Sequence, residues 1–430
     1  MTTLLYTHPA CLEHDPGRHH PESAARLHAV LNALADPEFA RLERREAPEA
    51  ALDDLIRVHP RQHVERMLRT VPRSGHVGID ADTILSPASG EAALRAAGAV
   101  VAAVDAVMAG AADNAFCAVR PPGHHAEPTR AMGFCLFNNI AVGALRARIA
   151  HGLGRVAVVD FDVHHGNGTQ AAFETDSGLF YASTHQSPLY PGTGSASETG
   201  VGNFVNVPLR PMSGSSQFRL GVTQRILPAL DAFRPELMLI SAGFDAHKRD
   251  PLAQLLLDEE DYTWITEQLL EIAYRHAGGR LVSTLEGGYD LAALGASAAA
   301  HLRVLMSVWG TGLRLECCAD ATSGEFHTRV RRPLGGFPSR DLLIRFQMVD
   351  LDVPADIAAM SFEEALAELE QIVRRLEGGQ VKLDEAILSY ERGALLKRHC
   401  ERKLNEAQQR VDRIVIGADG AVTAEPAKLD

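Results

Sequence analysis

Arg155-Val156-Ala157-Val158-Val159-Asp160-Phe161-Asp162-Val163-His164-His165-Gly166-Asn167-Gly168 is the stretch from which the rest of the chain is best read. Its first half is a run of small and β-branched apolar residues, the pattern of a parallel strand covered on both faces. Its second half gathers two carboxylates, two imidazoles and two glycines where that strand ends. Open α/β sheets place ligand chemistry at the carboxyl ends of their strands. Asp162 and His164 are two residues apart, so in extended chain their side chains point the same way. A carboxylate and an imidazole converging there suit a divalent cation. A buried Asp-His ion-pair network without metal is the alternative that these residues alone leave open.

Outward from that stretch, strands are expected at 4–6, 115–119, 179–182, 204–207, 237–240 and 281–285. Helical patterns occupy 22–34, 91–109, 138–149, 216–233 and 258–276. Strands alternating with helices predict an α/β fold, a mostly parallel sheet with helices on both faces. The 430 residues exceed one usual domain, and the character changes after about residue 312. The organisation predicted is 1–315 as one domain, 316–360 as a linker, 361–415 as a helical hairpin and 416–430 as a disordered tail. Ser361-Phe362-Glu363-Glu364 is a capping box. It opens a helix with Phe362, Leu366, Leu369 and Val373 on one face, and Gly378-Gly379 breaks that helix. A second helix follows over 383–415.

Composition narrows the function classes. With 46% hydrophobic and 23% charged residues the chain can build a sizeable core. A net charge of −13 supplies no electrostatic footprint for direct nucleic-acid binding. No apolar run is long enough to span a bilayer, and the first residues lack a basic leader. The six cysteines show no C-x-x-C spacing, so neither a zinc ribbon nor a disulfide framework is indicated. A cytoplasmic location is expected.

Three further strand ends carry chemistry. Arg120-Pro121-Pro122-Gly123-His124-His125 closes one strand with a rigid turn and two imidazoles, which titrate near neutral pH. Ser241-Ala242-Gly243-Phe244-Asp245-Ala246-His247 ends another with a carboxylate. Glu286-Gly287-Gly288-Tyr289-Asp290 ends a third with a phenol on a glycine turn. Each taken singly has a packing explanation; four such strand ends together are hard to assign to packing.

With these motifs, and with His20-Pro21-Glu22-Ser23, Arg26, Gly133-Phe134-Cys135 and Pro191-Gly192-Thr193-Gly194, residues 3–312 resemble the histone deacetylase and acetylpolyamine amidohydrolase superfamily. The resemblance is to its class II branch and bacterial relatives, and it implies the arginase–deacetylase fold. It implies one Zn2+ on Asp162, His164 and Asp245, although such a ligand set accepts iron or cobalt too. It makes His125 the general base and acid, and His124 an electrostatic aid steadied by Asp160. Asn167 stands where some relatives have a carboxylate, which should make His125 less basic. Tyr289 would donate to the developing oxyanion; relatives with His there are poor deacetylases. Phe134 and Tyr190 would form an aromatic tunnel, with Gly133, Gly287 and Leu252 also lining the substrate site. A structural K+ is implied near Asp160, Asp162, His164, Ser183 and Thr184. The two-manganese arginase group shares the fold, but Gly166 and His247 stand where a second metal would want Asp. Leu252 replaces the acidic gate of polyamine-selective relatives, which leans toward an acylated lysine.

Residues 361–415 resemble something unrelated, the small subunit of bacterial exodeoxyribonuclease VII, through the segments Leu-Glu-Gly-Gly and Tyr-Glu-Arg-Gly. That implies the exodeoxyribonuclease VII large subunit as a partner. A generic dimerising hairpin, giving a homo-oligomer, is the plainer alternative. Residues 316–347 resemble neither family, as expected of a former spacer between two genes joined into one reading frame. The expected activity is zinc-dependent hydrolysis of an acyl-lysine amide. Its rivals are an amidohydrolase for acetylpolyamines or other small amides, and a nuclease accessory protein with a passive deacetylase-like carrier.

Overall fold

The structure, a computed structural model, describes residues 2–307 and, beyond them, 314–319, 326–331, 355–358, 360–377 and single positions between 392 and 403. The chain divides into two units, Met1–Gly312 and Leu313–Asp430.

In the first unit eight strands form one sheet: β1 (Thr3–Thr7), β2 (Glu43–Glu46), β3 (Asn114–Cys117), β4 (Val156–Asp160), β5 (Leu179–Gln186), β6 (Phe204–Leu209), β7 (Leu237–Ala242) and β8 (Leu281–Leu285). Their spatial order is β2-β1-β3-β8-β7-β4-β5-β6, and every neighbouring pair is parallel. All residues of β4, β7 and β8 are buried, which requires cover on both faces and accounts for their unbroken apolar character. Helices Ser89–Met108 and Asn139–Ala150 pack on each other, and Glu259–His276 and Ala24–Ala33 each pack on Leu291–Met306. The expected helix over 216–233 is three pieces: Ser215–Gly221, a π-helical turn Val222–Ile226 and Leu227–Phe233. Pro228 follows that turn and has no N–H to give to the carbonyl four residues back, so the ladder widens there.

The register sets the height of the site. Asp160 lies opposite Ser241 on one side and Ser183 on the other, and Thr284 lies opposite Ser241 and Cys117. The chain therefore leaves the four central strands β3, β8, β7 and β4 at one level, where all four chemistry-bearing turns begin.

A buried charge cluster ties the N-terminal segment to that edge. Glu22 accepts hydrogen bonds from Arg26 at 3.2 Å and from Arg120 Nη2 at 2.7 Å, and all three side chains are fully buried. Arg120 also donates to the carbonyls of Cys11 (2.6 Å) and His14 (3.2 Å), and Arg26 to that of Gly288 (2.6 Å). Both guanidiniums use their several donors at once, the condition under which a buried ion cluster is tolerated.

In the second unit Ser361 caps helix Phe362–Glu377 as its sequence predicts. The Ser361 N–H donates to Glu364 Oε2 at 2.8 Å, and the Glu364 N–H to Ser361 Oγ at 3.2 Å. The buried stripe is not the one expected. Ile357, Ala365, Ile372 and Leu396 form the small core with Phe362 and Leu369 against it, whereas Leu366 is 39% exposed. Phe362, Ala365, Leu369 and Ile372 share one face at i, i+3, i+7 and i+10, so the buried face is turned toward Ala365 and Ile372 and away from Leu366. Arg392 reaches Asp356 at 2.8 Å and also binds Glu368, so the described part of the following segment folds back on the helix. Most of the expected second helix and the tail 416–430 lie outside the described residues. Within and just before the stretch read as linker, Arg314–Ala319 and Phe326–Arg331 pair as an antiparallel hairpin.

Candidate active site

Asp162 and His164 follow β4, and Asp245 follows β7. One ligand atom from each lies within 4.8 Å of the other two, the one such cluster among the described residues. His164 Nδ1 is 3.1 Å from both Asp162 Oδ1 and Asp245 Oδ2. The outer carboxylate oxygens are held by main-chain donors: Gly287 N–H to Asp162 Oδ2 and Val163 N–H to Asp245 Oδ1, each at 2.8 Å. Asp162 and Asp245 are 1% and 0% exposed, so these are not solvated surface acids. Gly287 is required by space, because a Cβ there would lie 2.1 Å from Asp245 Oδ2. Two buried carboxylates and an imidazole nitrogen converging in this way form a donor set suited to one divalent cation.

The turn after β3 supplies two histidines with opposite surroundings. His124 Nδ1 is 3.0 Å from Asp160 Oδ2, which also accepts from the Tyr181 hydroxyl at 3.1 Å. His125 Nδ1 is 2.8 Å from the amide oxygen of Asn167. Burial opposes charge on His124, but Asp162 and Asp160 carry its pKa well above the ordinary value. Burial and the neighbouring charges of His124 and His164 hold His125 well below it. The surroundings therefore favour a proton on His124 and disfavour charge on His125. Burial also opposes charge on His164, yet its bonds to Asp162 and Asp245 raise its pKa to about 10. The pair of acids draws in positive charge.

Tyr289 follows β8. The Arg26 guanidinium lies 4.8 Å from its ring centroid, and the Tyr289 N–H donates to Asp250 Oδ2 at 2.7 Å. Burial and Asp245 push the Asp250 carboxyl up to about 7. A cavity of about 240 Å³ is lined by His124, His125, His164 and Tyr289 together with Gly133, Phe134, Tyr190, Leu252 and Gly287. Phe134 and Tyr190 stand edge-on to Tyr289 and His125, at 6.1 and 5.1 Å between centroids. Gly133 and Phe134 both take left-handed backbone, and a Cβ on Gly133 would lie 2.5 Å from the His125 ring. Such conformations persist where surrounding structure holds them, and here they bring an aromatic to the cavity wall.

Of the residues read from the sequence, His124, His125, His164, Tyr289, Gly133, Phe134, Tyr190, Leu252 and Gly287 line this cavity, and Asp160, Asn167, Asp162 and Asp245 bond to its histidines, whereas Ser183 and Thr184 do not line it. Ser183 is opposite Asp160 in the sheet, beside Thr184, with its hydroxyl 2.9 Å from His185 Nδ1. Sequence reasoning gave no role to Asp82, Pro122 and Leu189, which also line the cavity, or to Arg26, Tyr181, Asp250 and Glu127 behind it. Only the buried Glu-Arg spacing of Glu22 and Arg26 offered a signal, since the other partners meet through tertiary packing.

A parallel sheet with acid–imidazole clusters on its central strand ends defines an α/β enzyme of the arginase–deacetylase fold, followed here by a C-terminal helical segment. The chain belongs to the histone deacetylase family: the model of the histone deacetylase domain matches residues 20–305. It is 43% identical to the histone deacetylase-like amidohydrolase of Pseudomonas aeruginosa, covering 63% of this chain and 72% of that protein. It is 39% identical to the chloroplastic histone deacetylase 14 of Arabidopsis thaliana (70% and 76% covered), and 43% to a probable deacetylase of Methanothermobacter thermautotrophicus (66% and 86%). The crystal structure of the HDA15 HD domain superposes with a TM-score of 0.67 at 36% identity, over 71% of this chain and 88% of that one. The exonuclease VII small-subunit model matches residues 362–413. The first unit is thus a hydrolytic enzyme of the deacetylase family. Among the described residues no helix is long and apolar enough to cross a membrane.

Gly287→Ala should force both acids apart and weaken metal binding about 10–100-fold, the usual cost of disturbing the groups that hold metal ligands. Metal content measured after dialysis against a weak chelator checks this.

Proposed function

We propose that the first unit hydrolyses the acyl amide of an acetylated lysine in a protein or peptide, using one zinc ion held by Asp162, His164 and Asp245. The observation that carries this reading is the convergence on one cavity of the Asp162–His164–Asp245 cluster with His125 bonded to the Asn167 amide, His124 bonded to Asp160, and Tyr289. Zinc bound there would supply Lewis-acid polarisation of the carbonyl and acidify the attacking water. His125, with Nδ1 committed to Asn167, takes the water proton on Nε2 as the new C–O bond forms. The Tyr289 hydroxyl donates to the oxygen that gains negative charge, and the His124 charge favours the same state. Breakage of the C–N bond then returns the proton from His125 to the leaving amine, giving acetate and free lysine. Phe134 and Tyr190 suit the alkyl stem, and Leu252 leaves the entrance without an acid at that position. A structural potassium ion near Asp160, Asp162, His164, Ser183 and Thr184 belongs to the same proposal, as does a cytoplasmic location.

One observation favours a second substrate. The Asp82 carboxylate lines the cavity and would attract a protonated amine, as in an acetylpolyamine. The C-terminal unit has its own reading: the match over 362–413 supports docking on the large subunit of an exonuclease VII.

Tyr289→Phe should lower kcat by about 100–1000-fold, the cost of one oxyanion donor, with an unchanged melting temperature. Acetyl-lysine peptides should outperform acetylated polyamines in kcat/KM; the reverse order would move the assignment to the small amine. A tagged exonuclease VII large subunit should retain the full chain on a column, and failure of purified components to associate would remove the docking reading.

A further inference from the structure

Glu127 lies behind the cavity wall, one side chain removed from His125. It opens a tight turn in which its N–H donates to the Arg130 carbonyl at 2.9 Å and its carbonyl accepts from the Arg130 N–H at 3.3 Å. The Pro128 carbonyl in that turn bonds to His59 Nδ1 at 3.1 Å, and His59 Nε2 accepts the Asn138 N–H at 2.9 Å. The turn is thereby fastened to the buried start of helix Asn139–Ala150. Its carboxylate accepts one N–H of the Asn167 amide at 2.8 Å, and the oxygen of the same amide is 2.8 Å from His125 Nδ1.

An amide group can turn end for end with almost no change of shape, exchanging its acceptor for a donor. The imidazole cannot prevent this, because its Nδ1 can either donate or accept. An ionised carboxylate only accepts. Glu127 therefore requires the NH2 end of Asn167 to face it, which turns the oxygen toward His125. That oxygen requires a proton on Nδ1, and the Nε2 lone pair is left for the cavity that His125 lines. With the amide reversed, the NH2 group would meet Nδ1, the proton would move to Nε2, and the imidazole could not take a proton from water.

We propose that Glu127 is a positioning residue that selects the tautomer of His125 through Asn167. This rests on the reading of His125 as the proton carrier. It explains how an asparagine serves where some relatives use a carboxylate: the negative charge stands one residue further back and acts by orientation.

Reversal of polarity tests it. In Glu127→Lys the ammonium can only donate, so it takes the amide oxygen and leaves the NH2 group toward His125. The expected loss is about 100-fold or more in kcat, the contribution of a general base, with KM little changed. Glu127→Gln can accept or donate and so no longer enforces one orientation, and its kcat should fall between those of the wild type and Glu127→Lys. Adding Asn167→Asp to Glu127→Lys should restore much of the lost kcat, because a carboxylate has no donor end to present wrongly. A loss equally large in both backgrounds, or one falling on KM or on folding, would overturn the proposal. Nitrogen-15 spectra of histidine-labelled protein read the tautomer directly. His125 Nε2 should be unprotonated in the wild type and protonated in Glu127→Lys, and an unchanged pattern would likewise overturn the idea. Wild-type protein inert toward acetyl-lysine peptides would sink the substrate reading alone, leaving these spectra to judge the tautomer.

Discussion

Two carboxylates that would repel each other are buried at the ends of β4 and β7, and most of the surrounding structure answers that problem. Removing a charge from water is costly unless it gains close partners. Asp162 and Asp245 gain main-chain N–H donors from Gly287 and Val163 and the His164 ring between them, and His124 Nε2 lies 3.8 Å from Asp162 Oδ1. Gly243 and Gly287 lack side chains where a Cβ would approach an acid oxygen to 2.0 and 2.1 Å. The site is built to concentrate negative charge and to bring cations to it. That property is what the proposed metal-assisted hydrolysis rests on.

Polarity around the acids is graded. His124 is bonded to Asp160, which also accepts from Tyr181, whereas His125 is bonded to a neutral amide, and the two adjacent imidazoles have their proton affinities shifted in opposite directions. Pairs of groups whose surroundings push their proton affinities apart are a recurrent way of assigning acid and base roles. The tyrosine turn is fixed from three directions: Arg26 over its ring and bonded to the Gly288 carbonyl, Asp250 on its N–H, and Asp290 joined to Arg249 at 3.1 Å. In the proposed reaction, a phenol held in place beforehand costs no reorganisation when charge develops.

Much of this was legible in the sequence because the central strands are unbroken apolar runs and their ends carry short, dense motifs. Seven of the eight strands are visible as apolar stretches, four of them with such motifs at their ends. The exception is β2, Glu43–Glu46, an edge strand whose polar side chains give no pattern and which needs only main-chain pairing with β1. Partners that meet across the fold were hidden for the same reason. Glu127 and Asn167 are 40 residues apart in sequence, as are no two residues of a local motif. On the C-terminal helix both Ala365 and Leu366 are compatible with the apolar stripe of Phe362 and Leu369, and only packing against Ile357 and Leu396 selects Ala365; the paired strands Arg314–Ala319 and Phe326–Arg331 carry no alternation that separates them from linker.

The central claim is that the Asp162–His164–Asp245 cluster is a metal centre whose occupancy governs amide hydrolysis. The most direct measurement is turnover of an acetyl-lysine peptide by chelator-treated protein as zinc is titrated back. The account predicts no turnover without metal and full recovery at one zinc per chain. Undiminished turnover by protein shown to be metal-free, or recovery that persists when all three ligands are replaced by alanine, would contradict it.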